Sequence, residues 1–175
     1  MTMKRFSELS KRGAAVLVVA LAAVFCSPLT ANAGEKTFGV KVGYAGRNES
    51  AVAGLFFQYG FSEHFRLAPE AECIFKSKDR DAFVFNVDGH FPFQFTGTRA
   101  SLYPLAGVNY SSWNKHFTEF DNKDASERTN RFGLNCGAGF DLKVNSTLKI
   151  NIEAKYTFIK ANSGVQLTAG IGYMF

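Results

Sequence analysis

The chain alternates apolar and polar positions with a period of two. From Leu148 to Phe158 the even positions are Leu148, Ile150, Ile152, Ala154, Tyr156 and Phe158; between them lie Lys149, Asn151, Glu153, Lys155 and Thr157. An amphipathic helix needs a period near 3.6, so this segment predicts a β-strand with one oily and one polar face. The last segment repeats the rule: Val165, Leu167, Ala169, Ile171, Tyr173 and Phe175 share a face. Working backwards, so do Phe132 to Leu142, Ala100 to Tyr110, Phe83 to Phe91, Leu67 to Phe75, Leu55 to Phe61 and Phe38 to Tyr44, each at every second residue. Eight strands are predicted. At about ten residues each they use about 80 residues of the chain. Polar connections are expected after strands 1, 3, 5 and 7, at 46–51, 77–81, 114–128 and 160–164; the third is the longest. Shorter connections are expected at 62–64, 92–98 and 145–147. Pro69 and Pro104 each remove a ladder donor, which blurs strand limits there and places Pro104 close to a strand start.

Residues 1–33 read differently. Lys4, Arg5, Lys11 and Arg12 precede the apolar run Ala14–Phe25, and Ala31-Asn32-Ala33 offers a small-x-small cleavage site before Gly34. This is the pattern of a secretory signal peptide. The run is too short for a transmembrane helix, which needs about 20 apolar residues. Cys26 follows Phe25 rather than a small residue, which argues against lipidation. The expected organisation is a cleaved leader, 1–33, and one domain, 34–175.

Charge changes the picture once the leader is set aside. The whole chain carries 20 basic and 15 acidic residues, net +5. The leader holds four of the bases and one of the acids, so residues 34–175 carry 16 and 14. That near balance argues against a nucleic-acid partner. The 19 Phe and 6 Tyr are the unusual composition, and they crowd strand ends, as in Phe38, Tyr44, Phe75, Phe91, Tyr110, Phe132, Phe158 and Tyr173. Polar faces carry both signs in mid-strand: Lys41, Arg66, Glu70, Glu72, Asp88, Asp141, Lys149, Glu153 and Lys155. No apolar run of 18 residues follows the leader, and only closed β-barrels cross a bilayer without helices. A soluble ligand-binding barrel would point its apolar faces inward. Aromatic girdles together with mid-strand charges of both signs favour the opposite arrangement, with charges paired inside and apolar faces on lipid.

The ending GVQLTAGIGYMF, and the segments YGFSEHFRLAPEAECIF and SLYPLAGVNYS, resemble the small eight-stranded outer-membrane barrels of Gram-negative bacteria. That group includes outer membrane protein X, the transmembrane domain of outer membrane protein A and opacity-type porin-family barrels. The resemblance implies an all-β fold: an eight-stranded antiparallel up-and-down transmembrane β-barrel, preceded by a signal peptide and located in the outer membrane. It implies that Tyr173 and Phe175 form the C-terminal signal read by the barrel-assembly machinery. The expected surroundings are outer-membrane lipid and lipopolysaccharide, which Arg47, Lys76, Lys78, Arg80, Lys115 and Lys160 could meet through phosphate oxygens. A monomer is expected.

Candidate chemistry is sparse. Cys73 and Cys136 fall on apolar faces of the non-neighbouring strands 3 and 6, so both are expected free. His64, His90 and His116 show no zinc-ligand clustering. Ser111, Ser112, His116, Glu119 and Asp121 offer nucleophile, base and acid around the longest loop, but their spacing is that of any polar loop. Trp113, Phe117 and Phe120 read as rim residues. No catalytic, metal or cofactor-binding residue is assigned and no enzymatic activity is expected. An eight-stranded barrel is just wide enough to be filled by side chains, so the expected role is structural, adhesive or envelope-interacting. A narrow solute channel and, less well supported, a lipid-modifying enzyme are the alternatives.

Overall fold

The computed structural model describes residues 34–46, 49–77, 80–118, 124–160 and 163–175. The expected leader, with Ala31 and Ala33 of the cleavage site, lies outside the described residues; Gly34 opens them. Among them the strands are β1 (Lys36–Ala45), β2 (Ser50–Ser62), β3 (Phe65–Ser77), β4 (Arg80–His90), β5 (Phe93–Gln94), β6 (Ala100–Thr118), β7 (Asp124–Lys143), β8 (Leu148–Ile159) and β9 (Gly164–Met174). No described helix is long and apolar enough to cross a membrane.

Each strand pairs antiparallel with its sequence neighbour, apart from the two-residue β5, which hangs on β6 through Phe93↔Leu102 and Gln94↔Ser101. The sheet is one ring: β1 pairs with β9 from Thr37↔Met174 to Ala45↔Gln166, and β4 pairs with β6 from Arg80↔Lys115 to His90↔Leu105. Eight strands therefore form a closed up-and-down barrel whose wall is paired all round, so the ladder there can satisfy backbone donors and acceptors without water.

The pleat sorts side chains as the alternation predicts. Val42, Leu134 and Phe132 are 63, 61 and 79 % exposed, whereas Lys41, Glu70, Glu72, Asp141, Lys149, Glu153 and Lys155 are each 2 % exposed or less and Arg66 8 %. Polar faces line the lumen and apolar faces point out. Phe57 departs from this scheme: expected outside, it is buried.

One expectation about connections is corrected. The predicted long loop at 114–128 is mostly strand, with rungs from Asn114↔Arg128 to Thr118↔Asp124. Beyond a bilayer neither face needs to be apolar, so alternation lapses while the ladder continues. β6 and β7, of 19 and 20 residues, span about 60 Å of strand against an apolar band about 25 Å tall; their hairpin projects well past it. On the opposite rim, beside both termini, the connection between β4 and β6, expected over 92–98, spans nine residues, carries β5 and turns at Gly97, whose φ of 76° suits glycine.

Both prolines sit inside strands, Pro104 at the fifth residue of β6. Opposite Ala68 and Pro69 the β2–β3 ladder has no rung at Phe57 or Gln58, passing from Phe56↔Glu70 to Tyr59↔Leu67; the missing donor falls in that gap. Pro104 lies one residue before the first β4–β6 rung, and its carbonyl accepts from Phe91 N at 3.1 Å.

Lumen glycines make room for large inward rings. A Cβ on Gly139 would stand 2.2 Å from Tyr103 Cζ, and one on Gly39 would stand 2.5 Å from Phe56 Cζ. Tyr103 and Phe56 are both buried. Gly139→Ala should cost about 1–3 kcal/mol in urea unfolding of the vesicle-embedded barrel. Gly46→Ala, whose Cβ meets nothing nearer than 3.6 Å, should leave the urea midpoint unchanged.

Candidate functional site

The lumen is layered along its axis. In the middle, Lys41 on β1 and Lys155 on β8 meet carboxylates of β3, β4 and β8. Lys41 Nζ lies 2.6 Å from Glu70 Oε2, 2.8 Å from Glu72 Oε1 and 3.6 Å from Glu153 Oε2. Lys155 Nζ lies 2.6 Å from the same Glu70 oxygen and 3.0 Å from Asp88 Oδ2. In ring order β3 and β8 stand on opposite walls, so Glu70–Lys155 is a strut across the barrel. Two ammonium groups face four carboxylates, and neutral donors supply the remaining stabilisation. Asn86 Nδ2 donates to Glu70 and Glu72, Gln166 Nε2 to Glu72, Asn135 Nδ2 to Asp88 at 2.8 Å, and Tyr103 OH to Glu153 at 2.7 Å.

Toward the termini lies a second charged layer. Arg66 on β3 reaches Asp141 on β7 at 2.5 Å, and its Nε donates to His90 Nδ1 at 3.2 Å. The guanidinium lies 4.3 Å from the Tyr103 ring centre, and His90 stacks on that ring at 4.6 Å. Lys149 donates to Gln58 at 2.7 Å and lies 3.7 Å from Asp141. At the rim Glu35 pairs with Lys143 and lies 3.6 Å from Lys149. Toward the projecting hairpin an apolar cluster, Ala45, Val52, Ile74, Ala82, Val84 and Trp113, joins the buried Ser50, Asn109, Ser111 and Ser112.

All eight residues expected in the interior network, Lys41, Arg66, Glu70, Glu72, Asp141, Lys149, Glu153 and Lys155, are therefore buried and lie in these two layers. The sequence reading overlooked the cross-lumen contacts of His90, Tyr103, Asn86 and Asn135. Position on the inward parity was the available signal; which wall each would meet is non-local. It also overlooked that Glu70, His90 and Glu153 bring ligand-type atoms within 4.8 Å of one another. Because Arg66 donates to Nδ1, a neutral His90 carries its proton on Nε2, and lysines already hold the carboxylates; the group is built as an ion-pair layer.

Outside the lumen, Cys73 and Cys136 are free and exposed. Tyr173 and Phe175 are exposed, with ring centres 6.3 Å apart at the rim beside the termini. His64 sits in the exposed β2–β3 turn. Of the possible catalytic group, Ser111 and Ser112 are buried in β6, and Ser111 Oγ accepts from Trp113 Nε1 at 3.0 Å and donates to the Arg131 carbonyl. His116 lies in the β6 extension; Glu119 and Asp121 lie outside the described residues, as do Phe120, Arg47 and Lys78.

The outer membrane protein beta-barrel domain family matches residues 17–175. The chain belongs to that family. It is an integral outer-membrane barrel with a side-chain-filled interior. No curated protein sequence matches it. Among solved structures, the N-terminal barrel domain of Pseudomonas aeruginosa OprF is similar at TM-score 0.67 and 14 % identity, over 82 % of this chain and 98 % of that one. Ail, the attachment invasion locus protein of Yersinia pestis, gives 0.59 and 19 %, over 82 and 99 %. The outer membrane enzyme PagL gives 0.50 and 11 %, over 78 and 97 %. At such identities the likeness is one of fold, and one fold hosts unrelated functions.

Breaking the central strut tests the lumen. Lys155→Met leaves Glu70 and Asp88 without their shared cation and should cost about 3–5 kcal/mol in urea titrations. Adding Glu70→Gln and Asp88→Asn should restore most of the loss. A second test is acid. Burial alone would raise the Glu35 carboxyl, but the Lys143 hydrogen bond and the charges of Lys149, Lys143 and Arg66 outweigh it and hold the group below its usual 4.5. A lowered folded value stabilises the barrel above the ordinary carboxylate pKa, and that contribution is lost as pH falls through the lowered value. Glu35→Gln should therefore flatten part of the stability decline below about pH 4.5, measured as thermal midpoint against pH.

Proposed function

We propose that the protein is a closed, non-enzymatic, monomeric outer-membrane barrel. Its work is done by the surface projecting beyond the bilayer, in adhesion or envelope contact. The observation that carries this reading is the cross-lumen strut from Glu70 through Lys155 to Asp88, with Lys41 tied to the same Glu70 oxygen. Such a layer braces the lumen from wall to wall, and opening it means separating buried charges, which costs several kcal/mol.

Family topology supports an orientation with the termini in the periplasm and the β6–β7 hairpin outside the cell. The leader would be cut between Ala33 and Gly34 during export. Tyr173 and Phe175 would engage the barrel-assembly machinery. The apolar band would sit in outer-membrane lipid, with exposed Lys160 near lipopolysaccharide phosphates. Against catalysis, the Ser111 hydroxyl accepts from Trp113 and donates to a backbone carbonyl.

The test is electrical and topological together. Refolded protein in planar bilayers should give no steady porin-size conductance, and protease added to intact cells should cut within 114–128. Steady openings would favour a solute channel instead. Protection of that segment, with cleavage after spheroplasting, would reverse the orientation.

A further inference from the structure

The projecting hairpin has two unequal edges. On the β6 side the β4 ladder climbs to Arg80↔Lys115, so only 116–118 stand above it. On the β7 side the β8 ladder ends at Gly133↔Ile159. Residues 124–132 therefore pair with β6 on one side and, among the described residues, with no strand on the other. At the foot of this edge Arg131 reaches the Lys160 carbonyl, which leaves 124–130 open.

A bare edge is a template for another strand, and folded proteins blunt theirs with proline, lysine or a bulge. Residues 124–130, DASERTN, contain neither proline nor lysine, and their rungs with β6 run without a register shift. Every second residue turns its N–H and C=O outward from such an edge, so the ladder can continue onto a further strand.

The order of charges says which strand fits. When two copies of one strand pair antiparallel about a two-fold axis, one residue must face its own copy, because directly opposed positions share a face of the sheet. With the axis at Ser126, Asp124 falls opposite Arg128 of the second copy, Arg128 opposite its Asp124, and Ala125 opposite its Glu127. Opposite charges at opposed positions stabilise a ladder and like charges destabilise it. An axis at Glu127 or at Arg128 sets like charge on like. One at Thr129 matches Glu127 with Arg131, but it lays residues 124 and 125 of the second copy beside Leu134 and Gly133, where β8 already runs. The axis at Ser126 has neither fault. Such an axis crosses the sheet at right angles, and β7 runs unbroken from the barrel wall into the hairpin. The second barrel is therefore inverted, which places it in a facing membrane rather than beside the first.

We propose that 124–130 is a homotypic docking edge. Its occupant is the same segment of a second copy in an apposed outer membrane, so that two hairpins join in one four-stranded sheet and tie surface to surface. The inference rests on the outward orientation and adhesive role proposed above, and it names the partner.

The test uses intact Gram-negative cells that display the full chain with Cys73→Ala and Cys136→Ala, in two populations with different epitope tags. After mixing and mild oxidation, Ser126→Cys should give a disulfide dimer that carries both tags. Opposed Cα atoms lie about 4.5–5.5 Å apart, within disulfide reach. Copies of residue 125 or 127 are two residues out of step and about 8 Å apart, so Ala125→Cys and Glu127→Cys should give about tenfold less dimer. Charge supplies an independent readout. Cells with Asp124→Arg and cells with Arg128→Asp should each lose clumping alone and regain it when mixed with each other. Dimers of like tags only overturn the facing arrangement, and equal crosslinking at 125, 126 and 127 overturns the register. A membrane-impermeant maleimide separates the two ways of failing. Labelled Ser126→Cys without mixed dimers overturns the inference alone, whereas unlabelled Ser126→Cys in folded, heat-modifiable barrels overturns the outward orientation as well.

Discussion

The structure depends on pairing buried charge inside a tube whose outside is oil. The barrel has no conventional apolar core: its outward side chains meet lipid, and its inward ones meet each other. What holds the walls together across the lumen is therefore polar. Lys155 on one wall and Glu70 on the opposite wall share a contact of 2.6 Å, and Lys41 reaches the same oxygen at the same distance. At such depth an unpaired charge costs several kcal/mol, so each long side chain constrains the next. Removing one ammonium group exposes two carboxylates to the penalty at once. Four carboxylates against two lysines would still be a poor balance. The amides of Asn86, Asn135 and Gln166 and the phenol of Tyr103 complete it, and because a donor spent on a carboxylate fixes which amide atom faces the other way, the network has a direction.

Size is the second constraint. Long charged chains and two inward rings fit because glycines line other parts of the same wall. Tyr103 occupies the space that a side chain on Gly139 would take, and Phe56 lies over Gly39. Mid-strand glycine carries an entropic cost; here it makes room for a tyrosine that reaches Glu153 and packs against both His90 and Arg66, which are hydrogen-bonded to each other.

Much of this was legible in the sequence because a strand writes its two faces into alternate residues. Leu148–Phe158 alone specifies a strand, its oily face and the inward Lys149, Glu153 and Lys155. Balanced charge in mid-strand specifies that the polar face is inside. What alternation cannot encode is azimuth: nothing local says that residue 155 meets residues 70 and 88, or that His90 stacks on Tyr103. It also falls silent where the physical pressure behind it ends. Residues 114–118 and 124–128 are as polar as a loop because both of their faces stand beyond the oily band, yet the backbone ladder runs on through them. Pro69 misled for a different reason. The ladder tolerates a missing donor if the opposite strand is irregular at the same height, and the gap at Phe57 and Gln58 is visible only once strands are paired.

The layering along the axis links closure to the surface beyond the bilayer. Charge is concentrated in the middle and toward the termini, while the end under the hairpin is lined by Val52, Ile74, Val84 and Trp113. A barrel that served as a conduit would keep its polar lining to the mouth, since ions and small solutes must enter through it. Here apolar side chains of Val52, Ile74, Val84 and Trp113 enter the described lining above the ion-pair layer. The same donors that neutralise Glu70 and Glu72 pass their orientation through Asn86 to Asn109. The charges that brace the lumen thus also fix the orientation of an amide two strands away from them, through one hydrogen-bond chain.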